Sequence, residues 1–164
     1  MWKLQENALS KVDLKALSKY ILRTPQLTQG KEVEKFEKLF SKWNKSEYSV
    51  LVNSGSSANL IIISAAKEFF NWNKNDEIIV PSLTWPTTVN PVLQLGLKPV
   101  FIDTNFDDLS INYEELKKKI NKNTKGIFLA HILGFPSNIK KIKSIIKGKN
   151  IKIIEDCCES IGAK

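Results

Sequence analysis

Residues 77–102, "EIIVPSLTWPTTVNPVLQLGLKPVFI", contain two short apolar runs on either side of a stretch long enough for a helix. The runs "EIIV" and "KPVFI" are rich in β-branched residues and lack the alternation of a half-exposed strand, so they predict strands buried on both faces. The stretch "TTVNPVLQLG" between them predicts a helix. A helical connection joins parallel strands, and the segment therefore predicts a β-α-β unit.

The same alternation extends along the rest of the chain. Two amphipathic helices, 11–23 and 31–43, are predicted ahead of the first strand, and 1–45 is expected to be an N-terminal helical segment. The other predicted strands are "YSVLV", "KGIFLA" and "IKIIE", and the other predicted helices are "ANLIIISAAKEFF", "NYEELKKKI" and "SNIKKIKSIIKG". The expected fold class is α/β, a three-layer αβα arrangement around a mainly parallel sheet.

Composition narrows the classes of protein that this chain can belong to. The chain has 164 residues, 42% of them hydrophobic, which is enough for one domain with a sizeable core. Its apolar runs are far shorter than the roughly 20 residues of a membrane span, so we expect a soluble, cytoplasmic protein without a membrane partner. The adjacent Cys157 and Cys158 are too few for a metal cage, and we expect reduced thiols and no metal site.

The basic charge of the chain is weak evidence for a nucleic-acid partner. The formal net charge is +8, but Arg23 is the only arginine and the lysines are spread over several segments. Arginine provides the bidentate contacts that read phosphate and guanine. We therefore expect a solvated, lysine-rich surface and no nucleic-acid binding.

The loops that follow the predicted strands are where a ligand is expected, because open parallel sheets bind ligands beyond the carboxyl ends of their strands. In the first loop, "NSGSSAN", Gly55 allows a tight turn, and Ser56 and Ser57 offer hydroxyl and amide groups at the start of a helix. The helix N-terminus favours an anion, and a phosphate fits. The alternative is that Ser54 or Ser56 simply caps the helix.

Two further residues indicate what kind of ligand this is. Asp156 ends the predicted strand that begins with the apolar run "IKII", and it suits a protonated heterocyclic nitrogen, although it could instead cap a helix or bind loop amides. Trp85 lies in the loop "PSLTWPTT" and offers a flat face for stacking, although a loop tryptophan is more often part of a core or a lid. Pyridoxal 5'-phosphate (PLP) combines a phosphate, a flat ring and a protonated nitrogen.

The motifs taken together resemble a known family. The run from "LTQGKEVEKFEKLF" through "VNSGSSANL", "EIIVPSLTWPTTVNPVLQLGLKPVFIDT" and "HILG" to "IIEDCCESIGA" is similar to the N-terminal part of the DegT/DnrJ/StrS family of fold-type I PLP enzymes, over nearly the whole chain. The resemblance implies that 46–164 is an incomplete PLP-binding large domain and that the C-terminal small domain is absent.

The resemblance also implies site residues. Ser56 and Ser57 would hold the cofactor phosphate, Trp85 would stack on the pyridine ring, and Asp156 would pair with the ring nitrogen. Glu159 falls near the phenolic oxygen of the cofactor, where the family commonly has Gln or His.

His131 matches the histidine of the family's H-x-x-G strand end, and Gly134 completes that motif. For His131, a structural hydrogen bond and a role in the site are both open.

The activity that this resemblance implies is that of an aminotransferase. It would act on a nucleotide-linked keto sugar, with an amino donor such as glutamate, in polysaccharide or deoxysugar biosynthesis, and as a homodimer when complete. The Schiff-base lysine of the family lies beyond the Asp156 motif and is not present in this chain. A branch of the family has histidine in its place and acts as a sugar 3-dehydratase, which is the first alternative.

Two other classes of function stay open at this point. The chain could be an inactive, truncated remnant that only binds the cofactor or a partner. It could also be a nucleotide-binding α/β domain of the flavodoxin or response-regulator kind, which needs only the sheet and one anion loop. That interpretation explains neither Trp85 nor Asp156.

Overall fold

The structure is a computed structural model that describes residues 8–24 and 26–163. The first seven residues of the predicted helical segment 1–45, as well as Pro25 and Lys164, lie outside the described residues. The chain forms two compact units, 1–51 and 52–164. Each unit is described by itself.

The first unit contains two helices, α1 (Lys11–Arg23) and α2 (Lys31–Asn44), which confirm the two predicted amphipathic helices. A capping box starts α1: the Oγ of Ser10 accepts a hydrogen bond from the N–H of Asp13 at 3.2 Å, and Asp13 accepts one from the N–H of Ser10 at 2.8 Å. Helix α2 ends at Lys45, which adopts the left-handed conformation.

The second unit alternates helices and strands. Its elements are α3 (Gly55–Phe69), β1 (Glu77–Pro81), α4 (Pro86–Gln94), β2 (Lys98–Ile102), α5 (Tyr113–Lys119), β3 (Thr124–Ala130), α6 (Ile139–Ile145) and β4 (Lys152–Asp156), with a short 3-10 turn at Ile132–Gly134 after β3. No helix in the described part of the chain is long and apolar enough to cross a membrane.

The four strands form one parallel sheet in the order β2-β1-β3-β4. This confirms the predicted α/β class with a parallel sheet. The chain leaves β1 towards β2 on one side and leaves β3 towards β4 on the other. The carboxyl ends of β1 and β3 therefore diverge at a topological switch point, where open α/β sheets bind their ligands.

Helices cover both faces of this sheet, because successive strand residues point to opposite faces and both sets are apolar. Ile78 and Val80 face α3 and α4, whereas Ile79 between them faces α5 and α6; all three are fully buried. One cluster is Ile63, Ala66, Trp72, Ile78, Val80, Val92, Leu97, Phe128 and Ile154. The other is Ile79, Ile102, Ile111, Tyr113, Leu116, Ile127, Leu129, Ile142, Ile146 and Ile151. The two clusters confirm the predicted three layers.

One predicted strand was wrong. The run "YSVLV", residues 48–52, forms no strand, and three helices precede β1 instead of two. A strand needs a neighbour for its backbone groups, and the sheet of the described residues offers none to this run. The N–H of Leu51 donates to the carboxylate of Glu37 at 2.7 Å instead, and Tyr48 and Val50 are exposed.

Phe128 at the centre of β3 provides a test of this core. Its side chain is fully buried, so Phe128→Ala should lower the free energy of unfolding by about 3–5 kcal/mol through lost burial and a residual cavity. Urea unfolding followed by circular dichroism measures the change. Phe106, which is 94% exposed, is the matched control, and Phe106→Ala should change stability by less than about 0.5 kcal/mol. Equal losses in the two variants would contradict the packing described above.

Candidate functional site

A cavity of about 270 Å³ lies beyond the carboxyl ends of β1, β3 and β4. It is lined by Leu83, Thr84, Trp85, Ala130, His131, Ile132, Asp156, Cys158 and Glu159. Four of the six residues predicted for the site are therefore brought together by the fold, namely Trp85, His131, Asp156 and Glu159. The position agrees with the switch point between β1 and β3.

Asp156 ends β4, and neutral donors hold its carboxylate. Its Oδ1 accepts a hydrogen bond from the N–H of Cys158 at 3.0 Å, and its Oδ2 accepts one from the side-chain amide of Asn59 at 2.8 Å. Among the described residues, no cationic side chain forms an ion pair with it. Each carboxylate oxygen has a second lone pair, so Asp156 can accept a further donor from a ligand.

Asn59 is a residue that the sequence did not single out. It lies on α3 and is only 7% exposed, and its amide nitrogen also donates to the backbone carbonyl of Thr87 at 3.2 Å. The signal in the sequence was a single amide in the apolar helical run "ANLIII". A buried polar group of this kind needs partners, and here the partners are the carboxylate of Asp156 and the start of α4.

Trp85 and Glu159 form a second contact across the cavity. Trp85 precedes the first residue of α4, its side chain is 68% exposed, and its Nε1 donates to Oε1 of Glu159 at 3.2 Å. The other oxygen of Glu159 accepts the N–H of Leu133 at 2.7 Å. These hydrogen bonds, first from Leu133 and then from Trp85, lower the pKa of Glu159 below its usual value.

Ser56 and Ser57, which were predicted to bind the phosphate, do not line this cavity. Ser56 and Ser57 line an adjoining hollow of about 340 Å³ with Leu60 and part of α4. Ser54 caps α3, since its Oγ accepts the N–H of Ser57 at 3.2 Å. A Cβ placed on Gly55 would lie 3.9 Å from the sulfur of Cys158, which lines the cavity, so the N-terminus of α3 borders the cavity.

His131 has partners on the other side of the strand ends. It is 5% exposed; its Nε2 lies 2.9 Å from Oε2 of Glu155, and its Nδ1 accepts the N–H of Ser137 at 3.1 Å. Side-chain hydrogen bonds to Cys157 and then to Glu155, which favour the protonated ring, raise the pKa of His131 to about 9. The N–H of Ser137 opposes this rise, because it needs an unprotonated nitrogen as acceptor.

The fold and the cavity define an α/β protein with a strand-end ligand site that contains an aromatic face and a carboxylate. The sequence shows which family this is. The chain belongs to the DegT/DnrJ/EryC1/StrS aminotransferase family, whose model matches residues 9–164. This confirms the resemblance that the motifs indicated.

Several characterised proteins are similar to this chain. A GDP-4-keto-6-deoxy-D-mannose 3-dehydratase of Escherichia coli O55:H7 is 42% identical over 147 residues, which cover 87% of this chain and 37% of the relative. A GDP-perosamine synthase of Escherichia coli O157:H7 is 31% identical over 137 residues, which cover 84% of this chain and 36% of the relative. The chain thus spans little more than a third of these relatives.

A solved structure extends the likeness to three dimensions. The Escherichia coli GDP-4-keto-6-deoxy-D-mannose-3-dehydratase with bound hydrated PLP superimposes with a TM-score of 0.93 at 37% identity, covering 100% of this chain and 42% of that chain. The structural neighbours are fold-type I PLP enzymes, and the family is PLP-dependent. The predictions of fold type and cofactor are confirmed at the level of the family.

Because His131 is the only histidine of the chain, its imidazole can be titrated by NMR without signals from another histidine. A raised folded-state pKa means that the charged ring stabilises the fold below about pH 6.5 and that this contribution is lost as the pH rises towards about 9. Glu155→Gln removes one of the two groups that raise the pKa of His131, so NMR titration of the imidazole should give a lower pKa. Glu114→Gln on α5 is the charge-matched control and should leave the pKa unchanged. An imidazole pKa that is the same in the unmodified protein and in Glu155→Gln would contradict the assigned contact between His131 and Glu155.

Proposed function

We propose that residues 46–164 form part of the PLP-binding large domain of an enzyme that modifies a nucleotide-linked keto sugar. The observation that carries this proposal is the carboxylate of Asp156, which lines the cavity next to Trp85 without a cationic partner among the described residues. Its two hydrogen bonds come from neutral groups, so no opposite charge lies beside its negative charge, and a carboxylate taken out of water is costly without one. A protonated ring nitrogen bound in the cavity would supply that opposite charge.

The donor and acceptor chemistry of the cavity fits PLP in three respects. The carboxylate of Asp156 has lone pairs for a ring N–H, and the indole of Trp85 offers an exposed aromatic face. In the described structure, the backbone N–H groups of Gly55 and Ser56 at the start of α3 have no acceptor. These groups lie at the positive end of a helix of 15 residues, where a phosphate is stabilised.

Each residue would then have a defined role. Asp156 would hold a proton on the ring nitrogen, and Asn59 would keep the carboxylate aimed at it. Trp85 would limit the tilt of the ring, while Ser56 and Ser57 would contribute hydroxyl or amide donors to the phosphate. PLP, when bound, supplies an electron sink for the carbon chemistry of the substrate.

For the reaction itself, we propose 3-dehydration of a GDP-linked 4-keto-6-deoxy sugar as the first candidate. Two relatives with that printed activity are 42% and 40% identical to this chain. The second candidate is the transfer of an amino group, which we expected from the resemblance. It is supported by two GDP-perosamine synthases that are 31% and 33% identical. Homodimerisation and a cytoplasmic location stay predictions.

One incubation separates the two reactions. The complete enzyme, of which residues 46–164 would form part, is mixed with PLP, GDP-4-keto-6-deoxymannose and ¹⁵N-labelled glutamate, and the sugar product is analysed by mass spectrometry. A product without the C3 oxygen and without ¹⁵N identifies the dehydratase, whereas ¹⁵N in the sugar identifies the aminotransferase. A sugar that is unchanged, although PLP is bound, would contradict both candidate reactions.

The role of Asp156 is tested by an isosteric change. In the complete enzyme, Asp156→Asn keeps the shape but removes the negative charge that stabilises the protonated ring nitrogen, so turnover should fall by about two orders of magnitude. Asp103 is the matched control, because it follows the end of β2 at the same edge of the sheet but does not line the cavity. Asp103→Asn should keep most of the turnover. Wild-type rates in the Asp156 variant would exclude the proposed pairing.

The two adjacent thiols provide a footprint that does not depend on turnover. Cys158 lines the proposed cofactor cavity, whereas Cys157 lines a separate hollow with His131 and Glu155, and both thiols are exposed. PLP should therefore slow the alkylation of Cys158 by iodoacetamide and leave that of Cys157 unchanged. Peptide mass spectrometry reads both sites in one sample. Equal protection of the two cysteines, or none, would place the cofactor elsewhere.

A further inference from the structure

We infer that Cys157 is a nucleophilic thiol and a modification site: His131 takes up its proton, Glu155 orients the ring of His131, and the sulfur attacks a small disulfide. These three residues are called the Cys157 cluster. The step needs no PLP, and Cys157 and Glu155 line a hollow other than the proposed cofactor cavity, so this role goes beyond the proposed function.

The ends of two neighbouring strands bring the cluster together. Glu155 and Cys157 are two residues apart at the end of β4, and alternate residues of a strand point to the same face. His131 directly follows β3, and its backbone N–H donates to the carbonyl of Asp156 at 3.1 Å, which extends the pairing of β3 with β4. All three residues of the cluster line a hollow of about 520 Å³.

The contacts of His131 decide which ring nitrogen can take up a proton. In the neutral ring, Nδ1 accepts the N–H of Ser137 at 3.1 Å and is unprotonated, so the ring hydrogen lies on Nε2, which is 2.9 Å from Oε2 of Glu155. A base that is oriented by a third group is the arrangement that activates a nucleophile. Nδ1 therefore has the lone pair for the thiol proton, and protonation there replaces the contact from Ser137.

Cys157 and His131 stabilise each other's charged forms. A side-chain hydrogen bond to Cys157, ahead of the one to Glu155, raises the pKa of His131 to about 9. The effect is mutual, because an imidazolium beside a cysteine favours the thiolate, which is the form that attacks. The thiol can also be reached by a reagent, since Cys157 is exposed.

Ser160 indicates that the hollow can hold a ligand. It lines the same hollow, is only 8% exposed, and its N–H donates to the carbonyl of Cys157 at 3.0 Å. Among the described residues, its buried hydroxyl has no hydrogen-bond partner, which costs free energy. Ser137, Asn138 and Lys140 also line the hollow. A small disulfide with polar arms would give the Ser160 hydroxyl a partner.

The chemical step is a thiol–disulfide exchange. His131 takes the proton of Cys157, the thiolate attacks one sulfur of a small disulfide RSSR, the S–S bond of RSSR breaks, and a new S–S bond joins Cys157 to SR. The leaving RS⁻ takes the proton from His131 and departs as RSH.

The mixed disulfide is the product that should accumulate. Cys158 is the nearest thiol along the chain, but the Cα atoms of adjacent residues are about 3.8 Å apart, below the roughly 4.4–6.8 Å of ordinary disulfides. Displacement of SR by Cys158 would therefore form a strained bond. The two cysteines also lie in different hollows.

The first experiment measures the reactivity of each thiol alone. Cys158→Ser leaves Cys157 as the only thiol of the chain, and Cys157→Ser leaves Cys158. Each full chain is mixed with 2-hydroxyethyl disulfide at pH 7, and intact-protein mass spectrometry follows the added mass. Cys157 should react about tenfold faster in the folded chain than in the same chain unfolded with urea, because an ordinary thiol is only a few per cent thiolate at that pH. An equal or slower rate in the folded chain would overturn the inference.

Two substitutions test the partners of the thiol. In the Cys158→Ser background, His131→Gln should slow the reaction of Cys157 about tenfold, and Glu155→Gln should slow it about threefold. Glu114→Gln on α5 is the charge-matched control and should leave the rate unchanged. If His131→Gln does not fold, Glu155→Gln carries the test, since the Glu155 side chain is 42% exposed. An unchanged rate in Glu155→Gln would overturn the cluster.

The same substitutions in the Cys157→Ser background show whether the effect is local. Cys158 lines the proposed cofactor cavity, and its rate should stay within about twofold in His131→Gln and in Glu155→Gln, as expected for sites that do not interact. Parallel slowing of both cysteines would show a general change in the loop after β4 and would reject the cluster.

A pH profile distinguishes a proton acceptor from a purely structural histidine. The charged groups that face Cys157 around the hollow are His131, Glu155 and Lys140, and Lys143 acts on Glu155. Because His131 stays protonated below its raised pKa of about 9, the rate of Cys157 should fall by less than about tenfold between pH 8 and pH 6. In His131→Gln it should fall roughly a hundredfold, as for an ordinary thiol. A hundredfold fall in both proteins would overturn the inference.

Discussion

The hydrogen bond between Asn59 and Asp156 is the contact on which the candidate site depends. It joins α3 to the end of β4, two parts of the chain that are 97 residues apart, at a distance of 2.8 Å. Asn59 is buried and its second contact is to the carbonyl of Thr87 in α4. The side-chain amide of Asn59 on α3 therefore connects this helix to α4 and to the carboxylate of Asp156, which the ligand would contact. Removing it would leave buried polar groups unpaired as well as freeing Asp156.

The pleat of β4 explains why two neighbouring acids have different surroundings. Successive residues of a strand point to opposite faces, so Asp156 lines the cavity while Glu155 binds His131 at 2.9 Å beside a second hollow. The cysteines that follow are divided in the same way, with Cys158 in the cavity and Cys157 beside His131. A carboxylate held by neutral amides and one paired with an imidazole thus arise from adjacent positions.

The predictions from the sequence were reliable where a local pattern had one physical solution. The runs 77–80 and 125–130 were predicted to be buried, and the structure buries β1 and the centre of β3 between two apolar clusters. The predicted burial of 98–102 on both faces was wrong, because β2 is an edge strand of the sheet and its Phe101 is 47% exposed. The run 48–52 has a similar composition but forms no strand, because a strand is defined by its neighbour and composition does not supply one. For the same reason the order β2-β1-β3-β4 was not predicted.

The sequence by itself determined the alternation of strands and helices, the parallel sheet and the presence of an aspartate and a tryptophan in the loops at its carboxyl edge. These features follow from periodicity and from where chain segments must end. Only the tertiary structure decided which side chains lie together around the candidate cavity. It joined Glu159 to Trp85 and Leu133, placed Asn59 against Asp156, and set Ser56 and Ser57 in an adjoining hollow. Such contacts depend on distances of a few ångströms between distant parts of the chain, which hydrophobic patterning along the sequence does not encode.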